Sequence, residues 1–172
     1  MPWGLKRFHE SGQSHFVTFC CYRRRLSFAE TSAKRTFETA LERVRRSFGL
    51  YIYGYVVMPE HVHLLIGEPQ RATLAIALKS LKQGVSRRLI GNAGHFWQKR
   101  YYDFNVRDHR QFVEKLRYIH RNPAKRGLCN RPEDWEWSSF CHYATGCEGP
   151  VEIESEWAAR KRQRVAGVSV RA

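Results

Sequence analysis

An α+β fold of the ferredoxin-like type is predicted by three observations. Segments rich in β-branched and aromatic residues fall at 15–22, 50–58, 61–67 and 101–106. Apolar residues recur at helical spacing over 33–48 and 73–90, between the first and second and between the third and fourth of these. The link between the middle two segments is a short Pro59-Glu60 turn, which makes them an antiparallel hairpin. The order is βαββαβ, an antiparallel sheet with both helices on one face.

Residues 1–13 form a basic, Gly-containing lead-in. The first strand, His15 to Tyr22, runs into Arg23-Arg24-Arg25, either a solvated loop or a segment that tracks a phosphate backbone. Thr31 or Ser32 caps the helix over 33–48. Its stripe is Phe37, Ala40, Leu41, Val44 and Phe48, with Arg43, Arg45 and Arg46 outward, and Gly49 stops it. Strands Leu50–Met58 and His61–Gly67 follow. Thr73 starts the second helix, which buries Leu74, Ala77, Leu78, Leu81, Val85 and Leu89. Gly84 in its middle marks a bend or a close approach. After the loop Gly91–Gly94 comes the fourth strand, Tyr101–Val106. Asp108 then caps a third helix, His109–Arg121, which Pro123 terminates. Trp135 and Trp137 pack a C-terminal segment onto the domain. A last helix over Glu152–Arg164 turns Trp157 inward, and the run Arg160–Arg164 with the tail after it is either disordered or in contact with DNA. The domain proper spans 10–128 and the extension 129–172.

The chain of 172 residues is long enough for one domain with a real core. No apolar run approaches the roughly 20 residues of a membrane span, and Met1-Pro2-Trp3-Gly4 opens no signal-peptide core. A cytoplasmic location is therefore expected. The five cysteines include the adjacent pair Cys20 and Cys21 and no C-x-x-C, so all five are expected as reduced, mostly buried thiols. Thirty Lys and Arg against 16 Asp and Glu leave +14, and 22 of the thirty are Arg. Arg grips phosphate through a planar fork and stacks on bases, so this excess favours a nucleic-acid partner over a surface that is basic for solubility alone.

His61 and His63 are two apart on a strand, so both imidazoles leave one face while Val62, Leu64 and Ile66 leave the other. Beside Glu60, they are either half of a metal site or a chance pair on the polar side of the strand. On the third helix Phe112, Val113, Leu116 and Ile119 share one face. Tyr118 falls nearly opposite, with Gln111 and Glu114, and Asn122 lies one turn beyond it on the same side. This helix alone leaves two readings open. Either a phenol and a side-chain carbonyl are presented together, or Tyr118 packs against the C-terminal segment and Asn122 caps the helix. Two His and an oxygen ligand beside a tyrosine suit phosphodiester cleavage. The metal offsets charge on the leaving 3′ oxygen while the phenolic oxygen attacks. A free phenol titrates near ~10, so it needs a cation or a base nearby.

The stretches Tyr55-Val-Val-Met-Pro-Glu-His-Val-His-Leu-Leu65, Trp97-Gln-Lys-Arg-Tyr-Tyr-Asp103, Tyr118-Ile-His-Arg-Asn-Pro-Ala-Lys-Arg-Gly-Leu128 and Arg131-Pro-Glu-Asp-Trp-Glu-Trp-Ser-Ser-Phe140 resemble the REP-associated tyrosine transposases. These are one-tyrosine HUH endonucleases related to small insertion-sequence transposases, and the likeness covers roughly residues 10–145. The resemblance implies a DNA transposase, a single-strand nickase and ligase. His61 and His63 would be metal ligands, Asn122 the third ligand and Tyr118 the nucleophile. It also implies Mg²⁺ or Mn²⁺, single-stranded or hairpin DNA, a 5′-phosphotyrosine product and a free 3′-OH, in a monomer or homodimer. Glu60 departs from the family, where many relatives have Asn. Two imidazoles sit more easily with Mn²⁺, or with Mg²⁺ whose other positions hold phosphate and water. His120 falls on the other side of the helix and is structural.

The candidate strand-binding groups are Arg23, Arg24, Arg25, Lys79, Lys82, Arg87, Arg88, Lys99 and Arg100. Trp97, Tyr101 and Tyr102 are either core residues or platforms for unpaired bases. The alternative function is a ferredoxin-like protein that binds DNA or RNA hairpins without cleaving them.

Overall fold

The computed structural model describes residues 13–169, so the lead-in at 1–12 and the end of the tail lie outside the described residues. Strand β1 is Ser14–Cys20. It ends two residues earlier than expected, because Tyr22–Arg24 closes into a 3-10 turn. Helix α1 is Thr31–Phe48. Thr31 and Ser32 already lie within it. The N-cap is Glu30, whose side chain makes no capping bond. Gly49 ends the helix at φ 65°, the left-handed conformation for which glycine is suited.

Strands β2 (Ile52–Val57) and β3 (His61–Ile66) form the expected hairpin. Helix α2 is Leu74–Leu89, with Thr73 Oγ1 accepting from the Ile76 N–H at 3.3 Å. Strand β4 is Tyr102–Val106. The sheet order is β2-β3-β1-β4 and all pairs are antiparallel, as the ferredoxin-like plan requires. Gly84 marks a close approach: a Cβ there would run into the Arg43 guanidinium of α1.

The alternation along each strand divides the core in two. Val17, Phe19, Val62, Leu64 and Ile66 pack with Phe37, Leu41 and Val44 of α1 and Leu78, Leu81 and Val85 of α2. The other face carries Phe16, Val56, Leu65 and Val106, covered by helix α3 (His109–Lys125) through Phe112, Leu116 and Ile119. Each large side chain so buried is worth roughly 1.5–3 kcal/mol. Gly54 permits this second layer, since a Cβ there would sit 2.6 Å from Leu116 Cδ1.

Trp137 to Ser139 run along the open edge of β2. The Val57 N–H donates to the Trp137 carbonyl at 2.9 Å, and the Ser139 N–H to the Tyr55 carbonyl at 3.0 Å. This covers the edge against strand addition. The Trp135 indole N–H donates to the Val57 carbonyl at 3.1 Å, so both tryptophans dock the extension as expected.

Helices α4 (Phe140–Thr145) and α5 (Glu156–Ser169) follow. Two expectations fail here. The last helix begins at Glu156, and Trp157 is 61% exposed. Val151 and Ile153, on extended chain before it, take the buried places instead, and the Glu154 N–H donates to the Ile52 carbonyl. The run Arg160–Arg164 is helical, and Arg160, Lys161 and Arg162 pair with Glu156, Glu148 and Glu154. The cysteine expectation also fails in part. Cys141 and Cys147 are joined as a disulfide with Cα atoms 6.2 Å apart, because Gly146 at φ 71° turns the chain back beneath α4. Cys21 is buried, whereas Cys20 and Cys129 are partly open. Among the described residues no helix is long and apolar enough to cross a membrane.

Candidate metal and nucleophile site

The α3 face of β3 presents His61, His63 and Leu65. Helix α3 roofs this face, so both histidines are buried, at 4% and 5% exposure. Their Nε2 atoms face each other at 2.9 Å. The other nitrogens are held from behind. His63 Nδ1 lies 2.7 Å from Thr18 Oγ1, and His61 Nδ1 lies 3.1 Å from Glu60 Oε1. Glu60 takes the His61 Nδ1–H, which leaves His61 Nε2 as an acceptor. His63 then donates from Nε2, and its Nδ1 accepts from the Thr18 hydroxyl. Moving the His63 proton to Nδ1, with Thr18 as acceptor, turns both Nε2 lone pairs toward one point.

That donor set fits a cation. Two nitrogens about 2.1 Å from one ion, at right angles, sit about 3 Å apart. Ligating imidazoles are generally held through their second nitrogen in this way. Burial lowers the pKa of His63 well below the usual histidine value, and the charges of His61 and Lys115 add to this. Burial also lowers that of His61, with Glu60 opposing. Both are therefore neutral near pH 7, the form that binds metal. Among the described residues no three His, Cys, Asp or Glu side chains form a metal site by themselves. A third protein ligand would have to come from another residue type, such as Asn122.

Tyr118 is 46% exposed, and its ring stands edge-on to His63 at 5.2 Å and to Phe16 at 5.9 Å between centroids. It thus sits on the flank of the apolar stripe, over the sheet, and not on the opposite side of α3 as the helical projection implied. Asn122 is buried one turn on. The capping alternative for Asn122 fails, because α3 continues to Lys125 with Arg126 as its C-cap. Pro123 does not end the helix. A proline's fixed φ is helical, so within the last turn the main loss is one N–H bond. The Arg126 and Leu128 N–H groups return to the Asn122 and Pro123 carbonyls, both at 3.0 Å. His120 is structural as expected: it is buried on Phe140 and Tyr143, 2.8 Å from Ser139 Oγ, and burial pushes its pKa down to about 4.

The basic candidates divide. Arg23 and Arg25 lie over the Tyr22 ring, and Arg24 reaches Glu60. Lys79, Arg87, Arg88, Lys99 and Arg100 are exposed. Lys79 and Lys99 line a groove with His95, Trp97 and Tyr101. Lys82, partly buried, lines the same groove. Its ammonium donates to the Gln98 carbonyl at 3.3 Å and lies over the Phe19 and Tyr101 rings, so it pins the groove from inside. Trp97 is likewise fixed, by its N–H to the Lys82 carbonyl at 3.0 Å. Tyr102 is the more open of the three aromatic candidates, edge-on to Phe16 on the site face.

Four residues escaped the sequence reading. Thr18 holds His63, Phe16 stacks on it at 5.3 Å, Lys115 lies 4.7 Å over Phe16, and Arg126 pairs with Glu60. A signal existed for the first two. Phe16 and Thr18 alternate with the core residues Val17 and Phe19, so they share the other face. Their register opposite β3 is tertiary information.

The ferredoxin-like sheet thus carries paired histidines beneath an accessible tyrosine. The family model for IS200-like transposases matches residues 9–122, about two thirds of the chain, and the chain belongs to that family. It is 26% identical over 148 residues to a candidate REP-associated tyrosine transposase of Haemophilus influenzae, covering 78% of this chain and 84% of that one. The REP-associated tyrosine transposase of Escherichia coli is 25% identical over 137 residues, covering 78% and 81%. The solved structure of a REP-associated tyrosine transposase bound to a REP hairpin superposes with a TM-score of 0.72 at 22% identity, over 87% of this chain and 90% of that one. That likeness establishes the shared fold.

Proposed function

We propose that this chain is a divalent-metal-dependent single-strand DNA endonuclease and strand transferase that acts on hairpin-containing DNA through a 5′-phosphotyrosine. The observation that carries the reading is the facing Nε2 pair of His61 and His63, with the Tyr118 ring 5.2 Å from His63. Transposase family membership and the hairpin bound by the structural relative support it.

His61, His63 and Asn122 would hold Mg²⁺ or Mn²⁺, with Mn²⁺ the better match to two imidazoles. When bound, the cation would draw charge from the scissile phosphate and from the departing 3′ oxygen. Tyr118 Oη attacks phosphorus, losing its proton. The bond from phosphorus to the 3′ oxygen breaks, and that oxygen leaves as a hydroxyl. The tyrosyl phosphodiester conserves the bond energy, so a second 3′-OH can reverse the step without ATP. Phe16 and Leu65 keep the inner side of the site apolar, and Thr18 and Glu60 hold the imidazoles in place.

The test is a cleavage assay on single-stranded hairpin DNA from the gene's flanks, with Mn²⁺, Mg²⁺ or EDTA. The expected result is a covalent protein–DNA adduct on a denaturing gel that needs metal and is lost in Tyr118→Phe. Tight binding with no adduct under any metal would replace this reading with that of a non-cleaving hairpin-binding protein.

A further inference from the structure

The turn before the paired histidines carries a carboxylate that does more than hold His61. Glu60 is buried, with 6% of its side chain exposed. Its Oε1, which takes the His61 Nδ1–H, also accepts from Arg24 Nη2 at 3.2 Å and from Arg126 Nη1. Two guanidiniums on one carboxylate leave one net positive charge. Both remain open, with 56% of the Arg24 and 42% of the Arg126 side chain exposed. A guanidinium has five N–H donors in a planar fork. Arg126 commits Nη1 to Glu60. Arg24 commits Nη2 to Glu60 and Nη1, at 3.8 Å, to Cys20 Sγ. The remaining N–H edges are available to a ligand.

Backbone features from both sides deliver these forks. Arg23 and Arg24 both have φ 52°, a left-handed conformation that costs energy for any side chain and is rare in succession. Their loop is tied to the histidine turn, the Cys21 N–H donating to the Glu60 carbonyl and the Phe28 N–H to the Pro59 carbonyl, both at 2.9 Å. Along α3 and its C-cap, Tyr118, Asn122 and Arg126 follow at intervals of four and so lie along one side. Arg126 lies about 12 Å beyond Tyr118 along the helix axis.

Exposed ion pairs contribute little, and a solvated arginine needs no buried carboxylate to hold it. A buried carboxylate that fixes two arginine forks suits a ligand with two oxygens to offer, as a phosphodiester has. We propose that Arg24 and Arg126, oriented by Glu60, form a second phosphate site that grips a phosphodiester near the scissile one and keeps the strand in register with Tyr118. This rests on the single-strand DNA reading above. In it, Glu60 is a positioning residue that aims two guanidiniums at the strand.

The test measures binding of the Tyr118→Phe protein, in EDTA, to synthetic hairpin oligonucleotides with single-stranded flanks. Each oligonucleotide carries one neutral methylphosphonate linkage, moved one position at a time. At one flank position the neutral linkage is expected to weaken binding about tenfold, the loss of a charge-assisted contact. Adding Arg126→Gln or Arg24→Gln should erase that position dependence and lower the salt slope by about 0.7. Arg126→Lys keeps the charge and covers the case in which the Gln variant fails to fold. It should keep the salt slope and lose most of the position dependence. Glu60→Gln should blur the position dependence with both arginines present. Unaltered methylphosphonate profiles in the arginine variants would overturn the site. Absence of a Tyr118 adduct in the wild-type cleavage assay would instead overturn the cleavage reading, and the phosphate profile would still decide this one.

Discussion

Replacing Thr18 with Val removes one hydroxyl at nearly constant volume. That hydroxyl is 2.7 Å from His63 Nδ1, and His63 is 5% exposed, so water has little access to take its place. A buried nitrogen left without a partner costs about 1–3 kcal/mol. Loss of a group that orients a ligating imidazole lowers metal affinity about 10–100-fold, or about 1.4–2.7 kcal/mol, which is the same range. Without metal His63 Nδ1 also loses its hydrogen-bond donor, so part of the penalty falls on the fold; the part that falls on metal binding is loss of the acceptor that would hold the His63 proton on Nδ1. The assay is adduct formation against Mn²⁺ concentration. Half-maximal activity should require 10–100-fold more Mn²⁺ in Thr18→Val, the rate at saturating Mn²⁺ should recover, and Thr18→Ser should restore the wild-type curve. Equal Mn²⁺ dependence in wild type and Thr18→Val would refute the role of Thr18 in holding His63.

Other expectations follow from the packing and the charges. Gly54→Ala places a Cβ 2.6 Å from Leu116 Cδ1, overpacking that costs about 1–3 kcal/mol and lowers Tm by about 2–4 °C per kcal/mol. Calorimetry should also show Leu116→Ala relieving the clash in the double variant. His15 is fully buried, with Asp103 at 2.9 Å and Glu68 at 3.2 Å; burial pulls its pKa down, but those two carboxylates outweigh it and the net shift is upward. Its protonated form therefore stabilises the fold fully below pH about 6.5, and that contribution is lost as pH rises through the higher folded value. Urea midpoints compared between pH 6 and pH 8.5 should fall more in wild type than in His15→Gln. Tyr55 donates to the buried Glu38 carboxylate at 2.8 Å, so Tyr55→Phe should cost about 1–3 kcal/mol by urea denaturation.

The disulfide and α5 show where local pattern runs out. Residues 156–169 have no continuous apolar stripe, so their position depends on Val151 and Ile153 filling the core before them. Cys141 and Cys147 meet because Gly146 reverses the chain, and a six-residue spacing alone does not announce this. Tyr118 shows the same limit at the site. A helical projection gives its angle about α3 but not how α3 lies on the sheet, where the ring stands edge-on to His63.

Period and turn chemistry suffice for the four strands, the first three helices, the hairpin at Pro59-Glu60 and the pairing of His61 with His63, since each depends on neighbours within a few residues. The hydroxyl behind His63 and the Glu60–Arg24–Arg126 cluster join groups from separate elements: Thr18 is 45 residues from His63, and Arg126 is 66 from Glu60. Such contacts follow from strand register and from how closely Gly54 lets α3 approach. Those are properties of the packed whole, in which sequence distance no longer measures separation.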